Sequence, residues 1–386
     1  MKGNVGYMIP RNHCTGCGVC SVICPKQCIR MMPDDDTGFF FPKVDNSKCI
    51  FCGACLQKCP LGKETLKSRN KYVLAAYARD FTILDKSNSG GVFTVFAKHI
   101  INKGGYACGA SYTKELTVKH VIVNTLGRLV KLQGSKYVQS ESYECYKEIK
   151  ELLKNGKYVV FCGTGCQVAG LKNFLAASYD NLLTIELVCH GVPSPLLFEK
   201  YLVWLGKKKG GKVTDYKFRT KTLRPTGEHS QFLYWINGKK HIGQAYEDPY
   251  YASFLYGLTL RPSCYCCQFK GIERVGDITI GDFWGIEKSH PAFSIKHGTC
   301  LLMVNTIKGE HFYMDVKNQF VAIDSSYEEA KSKNESICKS AELPKKQINY
   351  LSSELFDKDL KPNISLKDKI KNRLPWKFKW FLKKYL

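Results

Sequence analysis

Two matched runs of cysteine constrain this 386-residue chain more than anything else in it. Cys14, Cys17, Cys20 and Cys24, followed by Pro25, give the spacing C-x2-C-x2-C-x3-C-P, and Cys49, Cys52, Cys55, Cys59 and Pro60 repeat it. Three cysteines set two residues apart wrap a tight loop whose sulfurs meet three corners of a 4Fe-4S cube, leaving backbone N–H groups to face the sulfides. The fourth corner needs a more distant thiol. In the bacterial two-cluster arrangement the last cysteine of each run crosses to the other cluster. The expected sets are therefore Cys14, Cys17, Cys20 and Cys59, and Cys49, Cys52, Cys55 and Cys24. Paired structural zinc sites are the alternative, but zinc favours C-x2-C knuckles in pairs, not three close ligands plus a crossing fourth. Gly16, Gly18 and Gly53 suit the close backbone approach of such loops. Cys28 lies outside the pattern and reads as a small buried side chain.

Residues 9 to 66 thus resemble a two-cluster bacterial ferredoxin domain. The chain holds 19 cysteines in all. It opens without the apolar stretch and cleavage site of a secretory signal, so metal or redox chemistry in the cytoplasm is the expectation rather than a disulfide framework. No apolar run approaches the roughly 20 residues of a membrane span. The net charge is +24, from 58 Lys and Arg against 34 Asp and Glu. That excess invites nucleic acid, anionic membrane or acidic partners, and bound clusters and pyrophosphate would reduce it. Basic residues are spread along the chain apart from the tail, and no nucleic-acid motif appears, so a nucleic-acid partner is disfavoured.

Beyond Lys71, short apolar strands alternate with amphipathic helices, the pattern of a mixed α/β domain. KYVLAAYA, residues 71–78, reads as a strand. The loop Ser87-Asn88-Ser89-Gly90-Gly91 leads into a helix with Val92, Phe93, Phe96 and Ile100 on one face, stopped by Gly104-Gly105. Amides at such a helix start suit a cofactor phosphate. YVVFCGTGCQ predicts a strand over 158–161 and a helix starting near Cys166, whose dipole favours a thiolate. A buried strand over 182–188 delivers Cys189 and His190, and RPSCYCCQF adds Cys264, Cys266 and Cys267. From spacing alone, Cys166, Cys189, Cys264 and Cys267 could complete a third 4Fe-4S site. They could equally be buried cysteines, or include a catalytic Cys189–His190 pair.

The strings SNSGGVF, QGSKYVQS, FCGTGCQ, CHGVPSP, CYCCQF and GDITIGDFWG, taken in order over about residues 71–320, resemble the coenzyme F-420 hydrogenase/dehydrogenase beta-subunit family, with both its N- and C-terminal modules represented. The resemblance implies a flavoprotein with FAD beside a 4Fe-4S cluster. It implies that Cys166, Cys189, Cys264 and Cys267 hold that cluster, and that Ser87, Ser89, Gly90, Gly91, Ser135, Lys136, Tyr137, Thr164 and Gln167 lie around the flavin. Ferredoxin-fused members include versions that do not use the deazaflavin. The wording of GSKYVQS and CHGVPSP is nearer to ferredoxin-fused relatives associated with surface-polysaccharide synthesis than to deazaflavin-reducing subunits.

The expected architecture is α+β or mixed α/β: a dicluster ferredoxin domain (1–70), a FAD and 4Fe-4S core (71–320), a helical or linker segment (321–360) and a basic amphipathic tail (361–386). Electrons would pass between a redox partner, such as ferredoxin or a reductase, and a small-molecule substrate by way of the clusters and FAD. An electron-relay subunit serving a separate catalytic protein is the alternative. His190, Lys136 and Tyr137 are the side chains able to move the accompanying proton, though His190 also reads as a loop anchor and Lys136 as a flavin ligand. Asp277 and Asp282 read as turn anchors and Trp284 as core. The tail carries nine Lys and Arg against Asp368 and suits an anionic membrane surface on the cytoplasmic side, each cation contributing about 1 kcal/mol.

Overall fold

In the computed structural model, which describes residues 3–62, 65–221, 231–346 and 348–363, an eight-stranded mixed sheet organises the chain. Four neighbouring central strands run parallel: Tyr106–Tyr112, Val159–Thr164, Leu182–Leu187 and Ile278–Asp282. Val118–Val123 closes one side antiparallel, and Cys300–Val304, Tyr72–Ala78 and Phe320–Asp324 extend the other, each antiparallel to its neighbour. The parallel strands are nearly continuous apolar runs because both of their faces are covered. Successive side chains point to opposite faces. Val160, Leu183 and Ile185 join one core with the Val92–Asn102 helix, while Val159, Phe161 and Leu182 join another with the Gly165–Leu175 helix.

The parallel strands release Thr164, Leu187 and Asp282 at their carboxyl ends, the edge where α/β proteins place their sites. The antiparallel strands bring Cys300 and the end of the Tyr72–Ala78 strand to that same edge, since Asp282 pairs with Cys300 and Cys300 with Ala76.

The N-terminal module repeats its own geometry. The helices Val19–Ile23 and Ala54–Lys58 each start on a left-handed glycine, Gly18 (φ 71°) and Gly53 (φ 75°), and each ends on its crossing cysteine, Cys24 or Cys59, in extended conformation. A hairpin of Ile29–Pro33 and Phe40–Val44 lies alongside. Ser68–Arg69 pairs with Glu273–Arg274, Gln268 donates to the Pro60 carbonyl, and Asn173 donates to the Lys58 carbonyl, tying the module to the main body.

A third, aromatic-rich core surrounds the sheet of Val213–Lys217, Gln231–Ile236 and Lys239–Gln244. Residues 321–360, read from sequence as a helical or linker segment, are woven into both bodies. The Phe320–Asp324 strand is an edge of the main sheet, and Leu355, Phe356 and Leu360 are buried in the aromatic core. Apolar side chains at those positions supply burial that a solvated linker would forgo. The basic tail from residue 364 onward lies outside the described residues.

Candidate functional site

The two cysteine runs fold around two cavities, and each cavity takes three cysteines from one run and one from the other. One is rimmed by Cys14, Cys17, Cys20 and Cys59. The other is rimmed by Cys24, Cys49, Cys52 and Cys55, with Cys28 among them. Cys28 is buried, as its position outside the pattern suggests, yet its sulfur lies 3.4 Å from that of Cys24. Among the described residues no three or more His, Cys, Asp or Glu side chains close on a single metal ion; these thiols stand around cavities. Burial, and then the neighbouring Cys17, Cys14 and Cys59, hold the Cys20 thiol well above its ordinary pKa. A buried thiol set of this kind needs a metal to take it to the thiolate form, which coordination does outright.

The four core cysteines come from three separate places in the chain. Cys166 sits on the first turn of the Gly165–Leu175 helix, Cys189 just past the Leu182–Leu187 strand, and Cys264 and Cys267 on the loop after Leu260. They meet nonetheless: burial pushes the Cys264 thiol up, and the neighbouring Cys189, Cys166 and Cys267 push it further. The helix dipole expected to favour a Cys166 thiolate is overridden, because burial drives that thiol up to about 12 despite the Thr164 hydroxyl 3.1 Å away. Cations surround the set. Lys270 reaches the carbonyl of Cys189, and Arg274, paired at 3.1 Å with buried Glu186, lies close enough to Cys267 to oppose the rise in its pKa.

The first N-terminal cavity abuts this core set. The Tyr146 hydroxyl donates to the carbonyls of both Cys17 (3.3 Å) and Gln167 (3.1 Å). Arg261 donates to the Cys14 carbonyl (2.7 Å), the Phe40 carbonyl (3.0 Å) and Gln139 Oε1 (2.9 Å). Gly16 makes the approach possible, since a Cβ there would fall 2.4 Å from the Gln139 amide nitrogen and 2.9 Å from Arg261 Nη1.

The residues expected around a flavin fall into two groups. The first gathers at the sheet edge. Asn88 donates to the Ser135 hydroxyl, Ser89 to the Thr299 carbonyl and Ser87 to the Ile83 carbonyl. Gly90 lies against the Ala76 carbonyl, and Gly91 (φ 77°) opens the Val92–Asn102 helix. Cys300 is buried beside this helix start, and burial pushes its thiol up while the Ser89 hydroxyl and the nearby amides of Val92 and Gly90 oppose the rise. Sequence reading missed the cations here. Arg219 pairs with Asp282 at 2.7 Å and donates to the Asn88 carbonyl, and Lys221 donates to the carbonyls of Leu84 and Ser89. Burial lowers Lys221 to about 8. Two buried oxygens attached to this loop and helix have no partner: Gln133 Oε1, whose amide nitrogen binds Thr94, and Thr299 Oγ1. Unpartnered buried oxygens beside cations fit a polar cofactor whose groups complete them.

The second group, Thr164 and Gln167, forms a capping box on the Cys166 helix, and Gln167 also donates to the carbonyl and hydroxyl of Ser140. One strap, residues 133–140, therefore runs from the sheet-edge cradle to the thiols. Within it Lys136 Nζ donates to the carbonyls of Lys131 and Gln133, and burial lowers its pKa to about 7. The Tyr137 ring stacks 4.5 Å from Phe254, and His190 Nε2 hydrogen-bonds the Phe254 carbonyl at 3.2 Å. Asp277 holds the amide and hydroxyl of Thr184 as a turn anchor would, whereas Asp282 is engaged by Arg219. Trp284, expected in the core, is 38% exposed.

Comparison with known proteins defines the class. Residues 13–63 match the 4Fe-4S dicluster domain, and residues 156–328 match the domain described as the C terminus of the coenzyme F420 hydrogenase/dehydrogenase beta subunit. The chain carries both domains, an iron-sulfur dicluster module followed by a module of the hydrogenase/dehydrogenase beta-subunit type. Among curated proteins it is similar to NADH-quinone oxidoreductase subunit I of Pelobacter propionicus (39% identical over 55 residues, 12% of this chain and 30% of that one). It is also similar to subunit I 2 of that enzyme from Geobacter metallireducens (32% over 71 residues, 17% and 53%). The chain thus spans 30% and 53% of the length of these two relatives. Among solved structures, a chain of the F420-reducing [NiFe] hydrogenase complex from Methanosarcina barkeri superposes with a TM-score of 0.47 at 17% identity, over 69% of this chain and 86% of that one.

Proposed function

We propose that this chain is an iron-sulfur flavoprotein oxidoreductase that passes electrons between ferredoxin-type clusters and FAD to reduce or oxidise a small organic substrate. The observation that supports it most is the continuity from thiols to cradle. Cys14, Cys17, Cys20 and Cys59 would hold one cluster, Cys24, Cys49, Cys52 and Cys55 a second, and Cys166, Cys189, Cys264 and Cys267 a third. The strap over residues 133–140 joins the third set to the loop of Ser87, Ser89, Gly90 and Gly91.

Arg219, Lys221 and Ser135, with the oxygens of Gln133 and Thr299, would hold the flavin. Bound there, FAD would exchange electrons singly with the clusters and as a hydride with the organic partner. Lys136 Nζ, poised near neutrality, can accept or give a proton at working pH, and Tyr137 and His190 are the other proton-bearing groups nearby. The redox partner is a one-electron carrier, and surface-polysaccharide metabolism is the proposed setting. Among the described residues no helix is long and apolar enough to cross a membrane. Attachment to the cytoplasmic leaflet through the basic tail is part of the same proposal.

The test is composition of the anaerobically purified chain, with about twelve irons and one FAD expected. About eight irons remove the core cluster, and absence of flavin from the acid extract removes FAD. Turnover of a small molecule by the isolated chain separates an enzyme from a relay protein.

A further inference from the structure

Arg261 is the largest fully buried side chain in the described structure, 1% exposed. Burying a guanidinium is costly unless a counter-charge accompanies it. None of its hydrogen-bond partners supplies one. They are two backbone carbonyls and the neutral amide of Gln139, and no carboxylate among the described residues forms an ion pair with it. Its other neighbours are the rings of Phe39 and Phe41, at 5.3 and 4.3 Å. The Phe41 ring also carries the Arg11 guanidinium at 4.4 Å, a second cation already paired with Asp34. Cation–π contact is favourable but does not neutralise the charge.

The anionic groups that do reach Arg261 are sulfurs. Arg261 touches a ligand run of each module, its guanidinium donating to the Cys14 carbonyl at 2.7 Å and its own carbonyl accepting from the Cys264 amide at 2.8 Å. Burial disfavours its charged form, and the neighbouring Cys14, Cys264 and Cys166 sulfurs favour it. Those three belong to two different proposed clusters, one thiol from the N-terminal module and two from the core. Gly16 leaves the space through which the guanidinium reaches the first of them. Resting on the cluster assignment above, we infer that Arg261 is a positioning residue whose charge is neutralised jointly by the Cys14 cluster and the core cluster. By favouring the more negative, reduced state of both, it holds their potentials together at a raised level. Its guanidinium bonds reach Cys14, Gln139 and Phe40 and no residue of the Cys49 run, so the Cys49 cluster should feel its charge least.

The experiment is EPR-monitored redox titration of the anaerobic full-length holoprotein, comparing wild type with Arg261→Met, Arg261→Gln and Arg261→Lys, with iron counted in each. Cys52→Ala identifies the signal of the Cys49 cluster. With about twelve irons retained, Arg261→Met and Arg261→Gln should make two of the three clusters at least tenfold harder to reduce at fixed potential, about 59 mV in midpoint. The Cys49 signal should stay in place, and Arg261→Lys, which keeps the charge, should recover most of the shift. Unchanged midpoints, an equal shift of all three signals, or a lysine variant matching the neutral ones would overturn the inference. Loss of iron in every variant, lysine included, would also overturn it by making the role purely structural. Failure of the cluster assignment itself shows separately, as a wild type with only about eight irons.

Discussion

Gly170 lies directly against Cys17: a Cβ built on the glycine would come within 3.1 Å of the cysteine Cβ, 3.3 Å of its sulfur and 2.9 Å of the Tyr146 hydroxyl. A helix residue of the core thus touches a proposed ligand of the N-terminal module, with no room between them. Overpacking such a contact costs about 1–3 kcal/mol. Gly170→Val should lower iron by about four per chain, the complement of the cluster that includes Cys17, while Gly170→Ala should keep the iron and melt at a lower temperature. Iron analysis and anaerobic thermal melts check both.

Single ligand replacements should separate the three sets. Cys17→Ala, Cys52→Ala and Cys267→Ala should each lower iron by about four of about twelve. Loss of only two irons in any of them would point to a different cluster type at that position.

The ion pair of Arg274 and Glu186 is almost wholly buried, and Glu186 also accepts from the amides of Val275 and Gly276. Arg274→Met leaves that carboxylate without its cation, a loss of about 3–5 kcal/mol. Melting should fall by about 10 °C, with iron at the nearby Cys189 and Cys267 site lost before iron at the N-terminal sites. Differential scanning calorimetry and iron release on warming give the two readings.

Lys136 offers a pH test whose sign is fixed. Its folded pKa is depressed to about 7 from 10.5, so the unfolded chain binds the extra proton between those values. Stability therefore rises with pH across that window, and the penalty is fully present below about pH 7. The wild type should lose stability relative to Lys136→Met as pH falls from about 10 to 7, with a flat difference below that. Melting temperatures of the two proteins, measured at matched scan rates, would show the opposite slope if the amine were held by an acidic partner.

The basic tail predicts flotation with anionic liposomes that a chain ending at residue 360 lacks. Equal flotation of the two would remove the membrane from the proposal.

How much of this was readable in the sequence depends on how local each feature is. The grouping of cysteines around the two cavities was legible because three of the four in each lie within seven residues. Two of the four parallel strands were legible as apolar runs over 158–161 and 182–188, and the helix over 92–102 from its spacing, whereas Tyr106–Tyr112, with its glycine and small residues, was not. Arg261 was not legible: in RPSCYCC it reads as one more basic residue, and only long-range folding buries it against Cys14. The same holds for Arg219 and Lys221, which meet Asp282, Asn88 and Ser89 from more than 60 residues away. Cys300 carried no local signal, yet folding buries it beside Gly90 at the start of that helix. Thr164 and Gln167 sit in a good motif, but a capping box and a hydrogen bond to Ser140 account for both side chains.

The interlock of Gly16 with Arg261, Gly18 with Tyr143 and Gly170 with Cys17 leaves the ferredoxin-like module no slack. It cannot serve as a swinging arm that collects charge at one station and unloads it at another. Under the proposed function, internal transfer would then be tunnelling across a fixed gap, indifferent to the viscosity of the solvent, and glycerol should slow only the arrival of the outside carrier.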